Sequence, residues 1–178
     1  MLKGSCLCGG IRFEITGNHS KIGACHCSLC RKCSGVGSTA VITISFEQLR
    51  WVSGKELVMT FERPSGYGSA FCRMCGSPAP DTDREQTMYA VPVGLLDDDP
   101  PLEFGDRIYV GSKANWDVIG DDAPQFDEDG PPRPRDQVAR GKERARRRTR
   151  PSFKWIWNLR RNYRLFWQPF AEFASPVA

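Results

Sequence analysis

Eight cysteines in short, spaced clusters constrain this chain more than any other feature: Cys6-x-Cys8, Cys25-x-Cys27-x-x-Cys30-x-x-Cys33 and Cys72-x-x-Cys75. An even count suits disulfides in a secreted domain, but the run Met1-Leu2-Lys3-Gly4-Ser5-Cys6 leaves no room for the apolar core of a secretion signal. Cysteines two apart also reach disulfide geometry with difficulty. The expectation is a reducing, cytoplasmic compartment in which these thiolates hold metal, with zinc the first candidate.

All eight lie in the first 130 residues, and charge divides the chain at the same place. Residues 1–130 carry 12 Lys and Arg against 18 Asp and Glu, or −6; residues 131–178 carry 13 against 3, or +10. The net charge of +4 is therefore a cancellation between an acidic body and a basic tail. With 40% hydrophobic residues the body can bury a core, and no stretch approaches the ~18 consecutive apolar residues of a membrane-spanning helix. Asp, Gly and Pro crowd residues 121–134, which places a domain end near Gly130.

Within 1–130 the pattern is that of a mainly β fold. Residues 11–15 alternate apolar and polar, 36–44 are small and β-branched, and 57–61, 88–93 and 108–110 are further strand candidates between turn-forming clusters. A short helix is expected after Ser45, with Gln48 completing a capping box.

Zinc takes about four ligands in a tetrahedron, and a tight cysteine turn supplies two of them. Cys6-Leu7-Cys8-Gly9 and Cys72-Arg73-Met74-Cys75-Gly76 are natural halves of one structural site. The glycine after each second cysteine accepts the positive φ of a metal-binding knuckle. Cys25, Cys27 and Cys30 can supply three thiolates to a second zinc, leaving a corner open for chemistry, or Cys33 can close that site as a fourth ligand. His26 reads as a neighbour of that site more than as a ligand. Arg31 and Lys32 either face an anionic substrate or form a solvated basic surface.

The segments Gly4-Ser5-Cys6-Leu7-Cys8-Gly9-Gly10, Cys25-His26-Cys27-Ser28-Leu29-Cys30-Arg31-Lys32 and Phe71-Cys72-Arg73-Met74-Cys75-Gly76-Ser77 resemble the glutathione-dependent formaldehyde-activating enzyme family, which includes centromere protein V-like proteins. Residues 93–98, 108–116 and 121–127 are similar to it in the same order. The resemblance implies a compact Mss4-like zinc-binding β fold with two zinc ions per chain. Cys6, Cys8, Cys72 and Cys75 would hold the structural one, and Cys25, Cys27 and Cys30 the catalytic-type one. The implied activity is that of a carbon–sulfur lyase joining a small thiol such as glutathione to a small aldehyde such as formaldehyde. Arg31, Lys32 and Lys113 would hold the carboxylates of such a thiol. Cys33, Arg107, Pro78 and Pro80 depart from the family pattern, and Arg107 stands where a histidine is frequent.

Residues 131–178 lie beyond the resemblance. Between Phe153 and Phe173 fall eight of the chain's 19 aromatics, interleaved with Lys154, Arg160, Arg161 and Arg164. Ile156, Leu159, Tyr163, Phe166 or Trp167, and Phe170 recur at helical spacing, with Pro169 expected to kink or end the helix. Such an extension suits docking on the acidic body, then an anionic membrane surface, then nucleic acid or a protein partner. The rival function is accordingly a non-catalytic, zinc-stabilised binding module that works through this tail.

Overall fold

A computed structural model describes residues 1–83 and 86–130; the expectations for the 131–178 extension lie outside the described residues. The strands, in chain order, are β1 (Leu2–Ser5), β2 (Arg12–Ile15), β3 (Ile22–Cys25), β4 (Thr39–Ser45), β5 (Leu49–Ser53), β6 (Val58–Glu62), β7 (Gly68–Cys72), β8 (Asp81–Thr82), β9 (Met88–Pro92) and β10 (Phe104–Ile108). One α-helix, α1 (Ser28–Ser34), joins them among the described residues. The architecture is mainly β, and no described helix is long and apolar enough to cross a membrane.

The strands form three sheets: β1-β2-β5, β10-β3-β4-β9-β8 and the hairpin β6-β7. Pairing between the named strands is antiparallel except between β10 and β3, which run parallel and set Ile108 opposite Cys25. That register delivers the end of the late strand to the central cysteine cluster.

The core lies between the first two sheets. Ile11, Phe13 and Ile15 recur with the two-residue period of a half-buried strand and meet Ile42, Ile44 and Val91 from the larger sheet. Trp51 packs edge-on against both Phe13 and Tyr89, with ring centroids 6.2 and 6.1 Å apart, and Phe46 stacks on Tyr89 at 5.0 Å. Each fully buried apolar side chain of this set, such as Phe13, Ile42 and Val91, contributes about 1.5–3 kcal/mol.

The strands expected at 11–15, 36–44, 57–61 and 88–93 appear with shifted ends. The expected helix after Ser45 is a single 3-10 turn, Phe46–Gln48, because Gln48 serves two neighbours at once. Its Oε1 accepts from Ser45 N at 2.7 Å, and its Nε2 donates to Thr16 O at 2.8 Å and Asn18 O at 2.7 Å, so the chain is recaptured into β5. The strand expected over 108–110 instead ends at Ile108. Tyr109 adopts φ 56°, and Val110–Ser112 form a 3-10 turn.

Candidate metal centres

The N-terminal and middle cysteine turns meet, although more than 60 residues separate them. The thiols of Cys6, Cys8, Cys72 and Cys75 all lie within 4.8 Å of one another. The Cys6 and Cys8 sulfurs are 3.5 Å apart, and those of Cys8 and Cys72 are 4.0 Å apart. A tetrahedral zinc with bonds of about 2.3 Å separates its sulfurs by roughly 3.8 Å, so this donor set fits that ion.

The local chain explains the convergence. Gly9 and Gly76 take φ +71° and +74°, the left-handed turn expected after each second cysteine. Gly9 N then donates to Cys6 O, and Gly76 N to Cys72 O, both at 2.8 Å. Ile11 N–H points at Cys6 Sγ from 3.2 Å. Ser77 ties the two turns together: its Oγ accepts from Leu7 N at 3.0 Å and lies 3.4 Å from Cys75 Sγ. The Ser77 hydroxyl and then its backbone N–H pull the Cys75 thiol down to about 6.

The second cluster is built differently. Cys25 ends β3, Cys27 is the N-cap of α1, and Cys30 lies in the helix's first turn. Their thiols also lie within 4.8 Å of one another, and each residue is only half-buried. The segment 25–33 therefore does not run on as one tight loop. Cys27 Sγ accepts from Cys30 N at 3.4 Å, so a candidate ligand also caps the helix that carries its neighbour. Hydrogen bonding from Cys30 holds the Cys25 thiol below its ordinary range despite burial, while hydrogen bonding to Cys25 and then burial push the Cys30 thiol up.

No fourth Cys, His, Asp or Glu joins this set among the described residues, and Cys33 is exposed one helical turn beyond Cys30. Tyr67 Oη, which the sequence reading did not bring here, lies 4.0 Å from Cys30 Sγ. Tyr109 is a second such group; the Asp129 carboxylate, then burial and the nearby Cys25 and Cys27, push its pKa up to about 12. Its only sequence signal was an aromatic at the end of a strand.

The basic candidates diverge. Arg31 is half-buried, and its Nε is buried with no hydrogen-bond partner among the described residues. Lys32 is exposed. Lys113 Nζ donates to Asp117 O at 2.9 Å. Asp117 in turn bonds His26, which is 1% exposed and faces inward.

Comparison with known proteins shows what this chain is similar to. Residues 1–112 match a family model described as glutathione-dependent formaldehyde-activating enzyme. A relative from Halomonas elongata, provisionally named a glutathione-dependent formaldehyde-activating enzyme, is 43% identical over 42 residues, which is 23% of this chain and 27% of that protein. The match thus spans about a quarter of the relative's length. A crystal structure of a Rhodobacter sphaeroides protein shares 28% identity, covering 56% of this chain and 91% of that one with a TM-score of 0.46.

Proposed function

As the chain belongs to the glutathione-dependent formaldehyde-activating enzyme family, we propose that its half-exposed three-thiol cluster is the reaction centre of a zinc-dependent carbon–sulfur lyase. Cys25, Cys27 and Cys30 would hold the catalytic-type zinc, and Cys6, Cys8, Cys72 and Cys75 would hold a structural one. The observation that carries this reading is the contrast between the clusters: four thiols converge in one and, among the described residues, three in the other. The first donor set is saturated and the second leaves a corner free.

The reaction joins a small thiol such as glutathione to a small aldehyde such as formaldehyde. A carbon–sulfur bond forms at the carbonyl carbon, the carbonyl π pair moves to oxygen, and the thiol proton ends on that oxygen; the reverse reaction breaks the same bond. Zinc bound at the cluster would supply thiol deprotonation, because coordination lowers a thiol's pKa well below its ordinary value.

The chain's own groups do the rest. Cys25, Cys27 and Cys30 define the place where the thiol sulfur is received. Tyr67 Oη, at the Cys30 side, is a hydrogen-bond donor at the rim. Arg31, Lys32 and Lys113 are the groups proposed to hold substrate carboxylates, and Arg31 brings a guanidinium whose buried Nε is unpaired.

The test is direct. The zinc-loaded chain is mixed with glutathione and formaldehyde, adduct formation is followed by NMR, and zinc-edge absorption is recorded with glutathione alone. Faster adduct formation than in buffer, with a changed zinc spectrum, supports the proposal. An unchanged spectrum and an uncatalysed rate overturn it.

A further inference from the structure

A row of polar side chains stands behind the three thiols and takes no part in the reaction above. His26, the residue between Cys25 and Cys27, is 1% exposed. Its Nδ1 lies 2.7 Å from Asp117 Oδ2, and its Nε2 lies 3.4 Å from Arg107 Nη1. Arg107, 8% exposed, donates through Nε to both oxygens of Asp121 at 3.1 Å, and its Nη2 meets the same carboxylate. Its guanidinium carbon sits 4.2 Å from the centre of the Phe104 ring. A buried arginine is thus held by a carboxylate on one side and presents a donor to the imidazole on the other.

These contacts decide the imidazole's form. A guanidinium has donors and no acceptor, so Nε2 must be the accepting nitrogen. The proton therefore sits on Nδ1, where it bonds the Asp117 carboxylate. With both nitrogens engaged, neither is left for a metal, which leaves His26 outside the ligand set.

The position of the imidazole also controls its neighbours. His26 N donates to Ile108 O at 2.9 Å, so extended pairing with the end of β10 continues past Cys25. In extended chain, successive side chains point to opposite sides. Anchoring His26 inward therefore turns Cys25 and Cys27 to the other side together. Arg107 is itself pinned by its backbone, with its N–H on Pro124 O and its carbonyl accepting from Phe126 N, both at 2.8 Å.

We propose that His26, Arg107 and Asp117 are positioning residues for the three-thiol centre: the imidazole, clamped in its Nδ1–H form between a guanidinium and a carboxylate, aims Cys25 and Cys27 at the side where Cys30 completes the set. This rests on the reading of those three cysteines as metal ligands. Arg107, the departure from the family pattern, is then the group that selects the tautomer.

The experiment uses the full chain and two readouts. Long-range 15N–1H spectra report the His26 tautomer with and without zinc. Cobalt titration against a competing chelator separates the affinities of the two centres by their sulfur-to-cobalt absorption. The wild-type chain should show a protonated Nδ1 and two bound metals. Arg107→Met and His26→Ala should weaken the second metal about 10- to 100-fold and leave the first unchanged. Arg107→Lys, which keeps a donor, should recover part of the loss.

An Nε2-protonated imidazole overturns the inference, as does wild-type affinity for the second metal in the variants or an equal loss at both centres. Should Arg107→Met not fold, Asp121→Asn loosens the same guanidinium from its exposed end and must give the same selective weakening. Unchanged affinity there is equally decisive against the clamp. A wild-type chain that binds a single metal overturns the proposed function and the clamp together. Two metals with indifferent variants overturn the clamp alone.

Discussion

His26 Nδ1 lies 2.7 Å from Asp117 Oδ2 although 91 residues separate them, and this contact joins the cysteine loop to the segment that follows β10. Gly37 makes room for it. A Cβ at position 37 would stand 2.7 Å from Asp117 Cγ and 2.8–2.9 Å from both carboxylate oxygens.

Gly37→Ala should therefore push Asp117 off His26, since the carboxylate can yield only by giving up that hydrogen bond. The second metal should weaken by about tenfold, as is usual when a ligand's supporting contact is lost. Isothermal titration of metal into the stripped variant checks this, and unchanged affinity at both centres contradicts it.

Cys72→Ser should act on the whole fold. Cys72 is fully buried and joins the β6-β7 hairpin to the N-terminal cysteine turn. Binding of a structural zinc contributes on the order of 10 kcal/mol to folding in small zinc domains. The expected result is loss of one zinc and of a cooperative thermal transition, measured by elemental analysis and circular dichroism. A chelator strong enough to strip both metals should do the same to the wild type.

Cys33→Ser should leave both metals in place. Cys33 is exposed, and the thiols gathered in its cluster are those of Cys25, Cys27 and Cys30. Two zinc ions per chain and an unchanged adduct-forming rate are expected. A chain that retains one zinc would make Cys33 a fourth ligand and close the centre.

Ser77→Ala should change how the metal-free chain responds to pH. Ser77 holds the Cys75 thiol at about 6 in the folded state, against 9.0 for an unperturbed thiol. Between those values the folded chain binds fewer protons than the unfolded one, so stability rises with pH and is lost as pH falls through about 6. Cys8 acts in reverse above 9.0: the Gly10 backbone lowers its pKa, but the Cys6 and Cys75 thiols outweigh it and raise it to about 11. Urea melts of the stripped protein should show the rise between pH 6 and 9, flattened in the variant.

Arg31→Ala should raise KM for glutathione several-fold while sparing kcat. A thiol without carboxylates should be indifferent to the change, because the lost charge-assisted hydrogen bonds serve only anionic substrates. Equal effects on both thiols would assign Arg31 a packing role.

Much of the metal chemistry was legible along the chain because thiolate turns are local. Two cysteines separated by one or two residues, with a following glycine, specify a knuckle from short-range geometry alone, and Gly9 and Gly76 adopt the expected φ. Strand periodicity was local too, and the β2 alternation carries Phe13 and Ile15 into the core. Helix α1 was not legible, since its start depends on Cys27 Sγ capping Cys30 N within a segment that reads as a ligand loop.

What residue order determined by itself is the set of thiols and the strands that carry them, because each follows from neighbours a few positions away. Tertiary structure alone decided which groups stand behind the thiols. Arg107 read as a family histidine lost, yet the parallel pairing of β10 with β3 carries it beside His26 and into the reach of Asp121. Asp117 had no signal at all among the acidic residues after the late strand. Hydrogen bonds across 81 and 91 residues are set by sheet register and loop closure, and no local pattern encodes those distances.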